Sequence, residues 1–240
     1  MNEPIEQKIA VGFGHDESDI PGSADPRCPT LLLLDVSGSM SGKPLEELQA
    51  GVTQYIDEIA ADSLAKRRVE VAIVTFGGTV EVLQTFATPD KIVTPILKAK
   101  GDTPMGQAIV TGLELLKARR IELSKQAIFQ YKPWVILITD GGPTDDGREI
   151  WLEAKRKLKA SRDHKALFLA IGVDGANMEV LQQLCTETKG LNDKIDRPPL
   201  KLSGIQFRKL FQWISESQRI VSSSNTDETV QLPPVMWGSV

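Results

Sequence analysis

The sequence predicts a doubly wound α/β fold: a mostly parallel sheet with one antiparallel edge strand and helices on both faces. Three observations carry that expectation. Strongly apolar runs recur at 31–34, 69–76, 134–139 and 166–173. Segments with apolar residues spaced by three and four lie between them, which is helical periodicity. A carboxylate and a glycine-bearing turn close two of the runs, at Asp35 and at Asp140. Strands covered on both faces read as continuous apolar runs. Alternation of such strands with helices argues for parallel pairing.

The chain has 240 residues, 41% of them hydrophobic, enough for one sizeable α/β domain. The expected division is an N-terminal arm at 1–27, the domain at 28–220, and a polar linker with an apolar tail at 221–240. A formal net charge of −4 provides no basic surface for nucleic acid. No apolar run approaches the ~18 residues of a membrane span. Residues 1–12 lack the charged start and apolar core of a secretory leader. Cys28 and Cys185 are far apart and make no disulfide framework; with only His15 and His164 they make no zinc pattern. A reducing, cytoplasmic setting is the expectation. No feature of the sequence sets an oligomeric state.

The elements follow in order. Residues 1–30 hold an acidic cluster, Asp16, Glu17 and Asp19, and read as a short edge strand at most, then a solvated arm. After the strand at 31–34, Leu45, Leu48, Val52, Tyr55, Ile56 and Ile59 mark one face of a long helix, with Pro44 in its first turn. The run at 69–76 is rich in β-branched residues and reads as a buried strand. Gly77-Gly78 suits a tight hairpin turn, returning as an antiparallel edge strand at 80–86. A glycine-bounded turn at 100–106 precedes a helix with Ile109, Leu113, Leu116 and Ile121 on its inner face. Strand 134–139 leads to a helix at about 148–161, strand 166–173 to a helix at 177–188. The last helix, 203–220, carries the core stripe Phe207, Leu210, Phe211 and Ile214. The Leu-Pro-Pro tail is apolar enough to dock back on the domain.

The loop after the first strand, Asp35-Val36-Ser37-Gly38-Ser39-Met40, offers only oxygen donors, at i, i+2 and i+4. Such a set can converge on one point and suits a hard cation, Mg²⁺ or Mn²⁺, rather than zinc. A Gly/Ser turn whose hydroxyls cap the next helix reads equally well from this motif alone. A phosphate-binding loop is excluded, because Lys43 is followed by Pro44 and the glycine spacing is wrong. A nucleophile elbow is excluded, because Met40 stands midway between Gly38 and Gly42. Thr103, just before a helix, has an N-cap alternative of its own. Asp140 repeats the pattern of Asp35. In a parallel sheet the loops carrying Asp35, Ser37, Ser39, Thr103 and Asp140 emerge on one edge, where open α/β folds bind ligands.

These motifs, in this order and spacing, resemble the von Willebrand factor A domain and its metal-ion-dependent adhesion site over roughly residues 28–220. The resemblance implies a Rossmann-like sheet. It implies that Ser37, Ser39 and Thr103 give hydroxyl oxygens to Mg²⁺ (Mn²⁺ is the alternative), while Asp35 and Asp140 hold metal-bound waters. A Glu or Asp of a partner protein would then replace one water, with Met40, Asp102 and Asp145 on the rim. The stretches Leu-Asp-Val-Ser-Gly-Ser-Met-Ser-Gly-Lys-Pro, Arg-Val-Glu-Val-Ala-Ile-Val-Thr-Phe-Gly and Gly-Asp-Thr-Pro-Met-Gly also resemble the TerY-like branch linked to tellurite resistance and chemical stress. That branch implies a cytoplasmic scaffold. Two function classes follow: a metal-dependent protein-binding module, or a metal-dependent phosphoryl-transfer or hydrolase activity at the same site. Neither histidine sits in the ligand loops and no Asp-x-Asp pair follows the first strand, so binding without enzyme activity is the expectation.

Overall fold

The computed structural model describes residues 5–10, 25–163, 166–188, 198–202, 204–225 and 228–239. The acidic cluster at 16–19 lies outside the described residues. The chain runs β1 (Ile5–Ala10), β2 (Cys28–Asp35), α1 (Lys43–Ala61), α2 (Ala65–Arg68), β3 (Val69–Gly77), β4 (Thr79–Ala87), α3 (Met105–Lys125) and β5 (Trp134–Thr139). It continues through α4 (Glu149–Asp163), β6 (Leu167–Gly172), α5 (Met178–Thr188), β7 (Leu200–Leu202), α6 (Phe207–Ser223), β8 (Thr229–Val235) and β9 (Gly238–Ser239).

The main sheet has seven strands in the order β4-β3-β2-β5-β6-β7-β9. Strands β3, β2, β5, β6 and β7 are parallel. Strand β4 is the antiparallel edge, joined to β3 through Gly78 at φ 65°. The opposite edge carries a further antiparallel pairing, of two residues, between β9 and β7. Strand β2 sits between β3 and β5, so the chain leaves it to one side, while β5 leads to β6 on the other. The carboxyl ends of β2 and β5 therefore flank the point where the winding reverses, the place for a crevice in such sheets.

The all-apolar β2 serves two cores at once. Leu32 and Leu34 pack with the α1 and α6 residues Leu48, Val52, Phe207 and Phe211. Leu31 and Leu33 pack with Ile109, Leu113, Trp151 and Leu158 of α3 and α4. Period-two alternation in a strand makes this split inevitable. The two helices on the first face approach closely at Gly51, where a Cβ would stand 2.6 Å from Phe211 Cδ2. One expected core residue is corrected: Ile121 is 46% exposed. It lies five positions beyond buried Leu116, which at about 100° per residue turns it well off the inner face, and Leu123 resumes the stripe instead.

The C-terminal residues are more structured than their composition suggests. Helix α6 continues to Ser223, and β8 pairs antiparallel with β1 in a separate two-stranded ribbon. The prolines of β8 are tolerable there because a ribbon leaves each strand an unpaired edge. Trp237, 2% exposed, packs edge-on against Trp213 with ring centroids 5.8 Å apart. The Trp213 indole N–H donates to the Pro233 carbonyl at 2.7 Å. Among the described residues, no helix is long and apolar enough to cross a membrane.

Candidate metal site

Three loops meet above the β2/β5 crevice, and main-chain bonds fix their relative positions. Gly38 N–H donates to Gly101 O at 2.9 Å, and Lys100 N–H to Val36 O at 2.8 Å. Thr144 N–H donates to Thr103 O at 2.9 Å. The approach of two loops needs glycine: a Cβ on Gly101, at φ 58°, would stand 2.5 Å from Gly78 Cα.

Asp35, at the end of β2, is fully buried. Its carboxylate accepts the Ser37 N–H at 2.8 Å and the Thr139 hydroxyl at 2.5 Å. Ser37 Oγ lies 3.0 Å from Ser39 Oγ, and Ser39 Oγ donates to Asp140 Oδ1 at 2.8 Å. With the Ser39 proton on Asp140, the Ser37 hydroxyl must be the donor in the serine pair. Thr103 is buried at the start of α3, and its Oγ1 faces Gly141: a Cβ there would be 3.7 Å away. The structure thus brings Asp35, Ser37, Ser39, Thr103 and Asp140 together from three loops.

The rim expectation needs two corrections. Met40 is fully buried and packs in the core beneath α1, because the short 3-10 turn Gly38–Met40 points it inward. Asp145 is 3% exposed, and its two carboxylate oxygens accept the N–H groups of Gly106 and Gln107 at 3.0 and 2.9 Å. It caps the N-terminus of α3, where a negative charge meets unpaired N–H groups. Asp102 is exposed as expected; Asp146, next to Asp145, is exposed too. Thr139 also belongs to the site, although its own sequence context does not single it out. Its hydroxyl bridges the site, donating to Asp35 and accepting the Gly141 N–H at 3.2 Å. The available signal was a hydroxyl residue closing an otherwise apolar strand directly before Asp140.

Burial pushes the Asp35 carboxyl above its ordinary 3.8; hydrogen bonds from Thr139 and Ser37 oppose that rise, and the nearby Asp140 charge adds to it. Among the described residues, neither Asp35 nor Asp140 forms a salt bridge. No group of three or more His, Cys, Asp and Glu side chains gathers among them either. The donor set is two carboxylates and three hydroxyls. That chemistry fits a hard divalent cation: two negative charges lack a cationic side chain, and every donor is oxygen.

The model of the von Willebrand factor type A domain matches residues 31–197. The chain is 25% identical over 236 residues to the uncharacterized protein sll0103 of Synechocystis sp., covering 95% of this chain and 49% of that protein. It therefore spans about half the length of this curated relative. Among solved structures, the pilus adhesin SpaC of Lactobacillus rhamnosus GG superposes with a TM-score of 0.60 at 14% identity, over 83% of this chain and 30% of that one. The vWF domain of the type V pili tip protein Mfa5 of Porphyromonas gingivalis does so with 0.58 at 10% identity, over 85% and 98%. These two likenesses concern the fold. With the family match over most of the chain, the mixed sheet and its strand-end loops lead to one conclusion: the chain belongs to the von Willebrand factor type A domain family.

Proposed function

We propose that this domain is a protein-binding module that holds Mg²⁺ at the β2/β5 crevice and presents it to an acidic residue of a partner protein. The observation that carries the reading is the hydroxyl chain Ser37–Ser39–Asp140, set beside buried Asp35 and joined to no cationic side chain among the described residues. Ser37, Ser39 and Thr103 would supply neutral hydroxyl oxygens, while Asp35 and Asp140 balance the ion's charge. A divalent ion held by few charges remains attractive to an incoming carboxylate, which a cage of four carboxylates would repel. Mg²⁺ also retains exchangeable water positions for such a ligand. Mn²⁺ meets the same donor requirements. The TerY-like resemblance of the motif stretches supports a partner in a cytoplasmic chemical-stress assembly as part of this proposal.

The test is affinity capture of partners with and without EDTA, using the wild type and a Ser39→Ala variant. Capture should vanish with chelator and in the variant. It should also fail when one acidic residue of the captured partner becomes its amide. Capture that survives EDTA contradicts this reading. Mg²⁺-dependent phosphatase activity lost in Asp35→Ala would instead favour hydrolysis at the site.

A further inference from the structure

Four of the five oxygen residues at the β2/β5 crevice hold one another. The Ser37 N–H donates to Asp35, the Ser37 hydroxyl to Ser39, and the Ser39 hydroxyl to Asp140. Thr103 takes part in none of these bonds. Its place is set through main chain: its carbonyl accepts the N–H groups of Met105 and Thr144, at 2.8 and 2.9 Å. Helix α3 begins at Met105, so whatever fixes the first turn of α3 also fixes Thr103.

That first turn has no cap of its own. Pro104 occupies the N-cap position and supplies no side-chain acceptor, where Ser, Thr, Asp or Asn is the common choice. Asp145 does the work from 39 positions away, accepting the Gly106 and Gln107 N–H groups at 3.0 and 2.9 Å. It is 3% exposed, and among the described residues it pairs with no cationic side chain. Capping by itself, worth about 1 kcal/mol, explains a bond to the helix end but not where the cap comes from. Asp145 lies on the loop that follows β5, next to Thr144 and shortly after Asp140. Its two bonds and the Thr144–Thr103 bond therefore tie the Thr103 loop to the Asp140 loop. Gly106 keeps the joint tight: a Cβ there would stand 3.0 Å from Trp151 Cε3 and 3.1 Å from Asp145 Oδ2.

We propose that Asp145 is a positioning residue of the metal site, fixing Thr103 against Asp140 and thereby setting a preference for Mg²⁺ over Ca²⁺. The inference rests on the reading of the site as a Mg²⁺ centre. Mg²⁺ is small and demands near-ideal octahedral geometry, whereas Ca²⁺ accepts a larger and looser oxygen shell. A hydroxyl held in one place therefore matters more to Mg²⁺ than to Ca²⁺. The Asp145 charge acts on both divalent ions alike, so the ratio of their affinities reports positioning rather than charge.

Calorimetric titration of Mg²⁺ and of Ca²⁺ into chelator-stripped wild type, Asp145→Ala and Asp145→Asn tests this. The wild type should bind Mg²⁺ more tightly than Ca²⁺. In Asp145→Ala the Mg²⁺-to-Ca²⁺ affinity ratio should fall on the order of 10-fold, the scale of loss when a residue orienting metal ligands is removed. Asp145→Asn, whose single oxygen can keep one of the two N–H bonds, should fall between them, and it carries the test if the alanine variant does not fold. Gly51→Ala disturbs α1 and α6 on the other face of the sheet and should leave the ratio unchanged, which separates positioning from general loosening. An unchanged ratio in the folded Asp145 variants overturns the proposal, as does an equal fall in Gly51→Ala or a wild type that binds Ca²⁺ as tightly as Mg²⁺. Those results leave the metal reading standing. A wild type with no saturable site for either ion overturns that reading and this proposal with it.

Discussion

Thr139 Oγ1 stands 2.5 Å from Asp35 Oδ2, joining the ends of β5 and β2 across the crevice. The same hydroxyl accepts the Gly141 N–H. Replacing it with the similarly shaped valine leaves a buried carboxylate oxygen and a main-chain N–H without their partner. Thr139→Val should therefore destabilise the domain by about 1–3 kcal/mol. Urea unfolding in EDTA measures this; a change below about 0.5 kcal/mol would mean the bond contributes little.

Asp35 makes the metal-free domain sensitive to pH. Its carboxyl is held above the ordinary 3.8 by burial, so the folded state binds the proton more tightly than the unfolded chain. The stability this contributes is complete below the unfolded value and is lost as pH rises through the raised folded value. In Asp35→Asn the amide oxygen can take the Ser37 N–H, and its NH₂ can donate to Thr139, which can turn its own proton toward Gly141 O at 3.5 Å. In EDTA at pH 7 the variant should match or exceed the wild type in melting temperature, with the advantage fading in acid. Added Mg²⁺ should raise only the wild type appreciably. A variant less stable than wild type across the whole range in EDTA would refute this account of the carboxylate.

Gly51 sets the distance between α1 and α6. A Cβ there would also meet the Phe207 carbonyl oxygen at 3.2 Å, which is main chain and cannot swing aside. Despite alanine's better helix propensity, Gly51→Ala should cost about 1–3 kcal/mol through overpacking. Thermal unfolding would show a lowered midpoint; a raised one would mean the helices separate freely.

Most of the parallel sheet was legible because its strands are covered on both faces and so read as uninterrupted apolar runs. The five clustered oxygen residues were legible for a related reason: strand-end loops of a parallel sheet share one edge. What escaped depended on partners distant in sequence. Leu200–Leu202 is too short to show a period, and β8 holds two prolines that argue against a strand until β1 is seen beside it. Asp145 looked like a rim charge because nothing local shows that two N–H groups of α3 would enclose it. Met40 looked exposed because a polar glycine loop surrounds it, yet the 3-10 turn drives its side chain into the core.

Ser39 and Asp140 are joined at 2.8 Å across 101 positions of sequence. If that pair helps hold a cation, removing the Asp140 charge should weaken the cation's binding on the order of 10–100-fold, the usual loss when a residue orienting metal ligands is removed. The direct measurement is calorimetric titration of Mg²⁺ into the chelator-stripped wild type and Asp140→Asn. One saturable site per chain is expected in the wild type, and at least tenfold weaker binding in the variant. No saturable binding in the wild type, or equal affinity in both proteins, would contradict it.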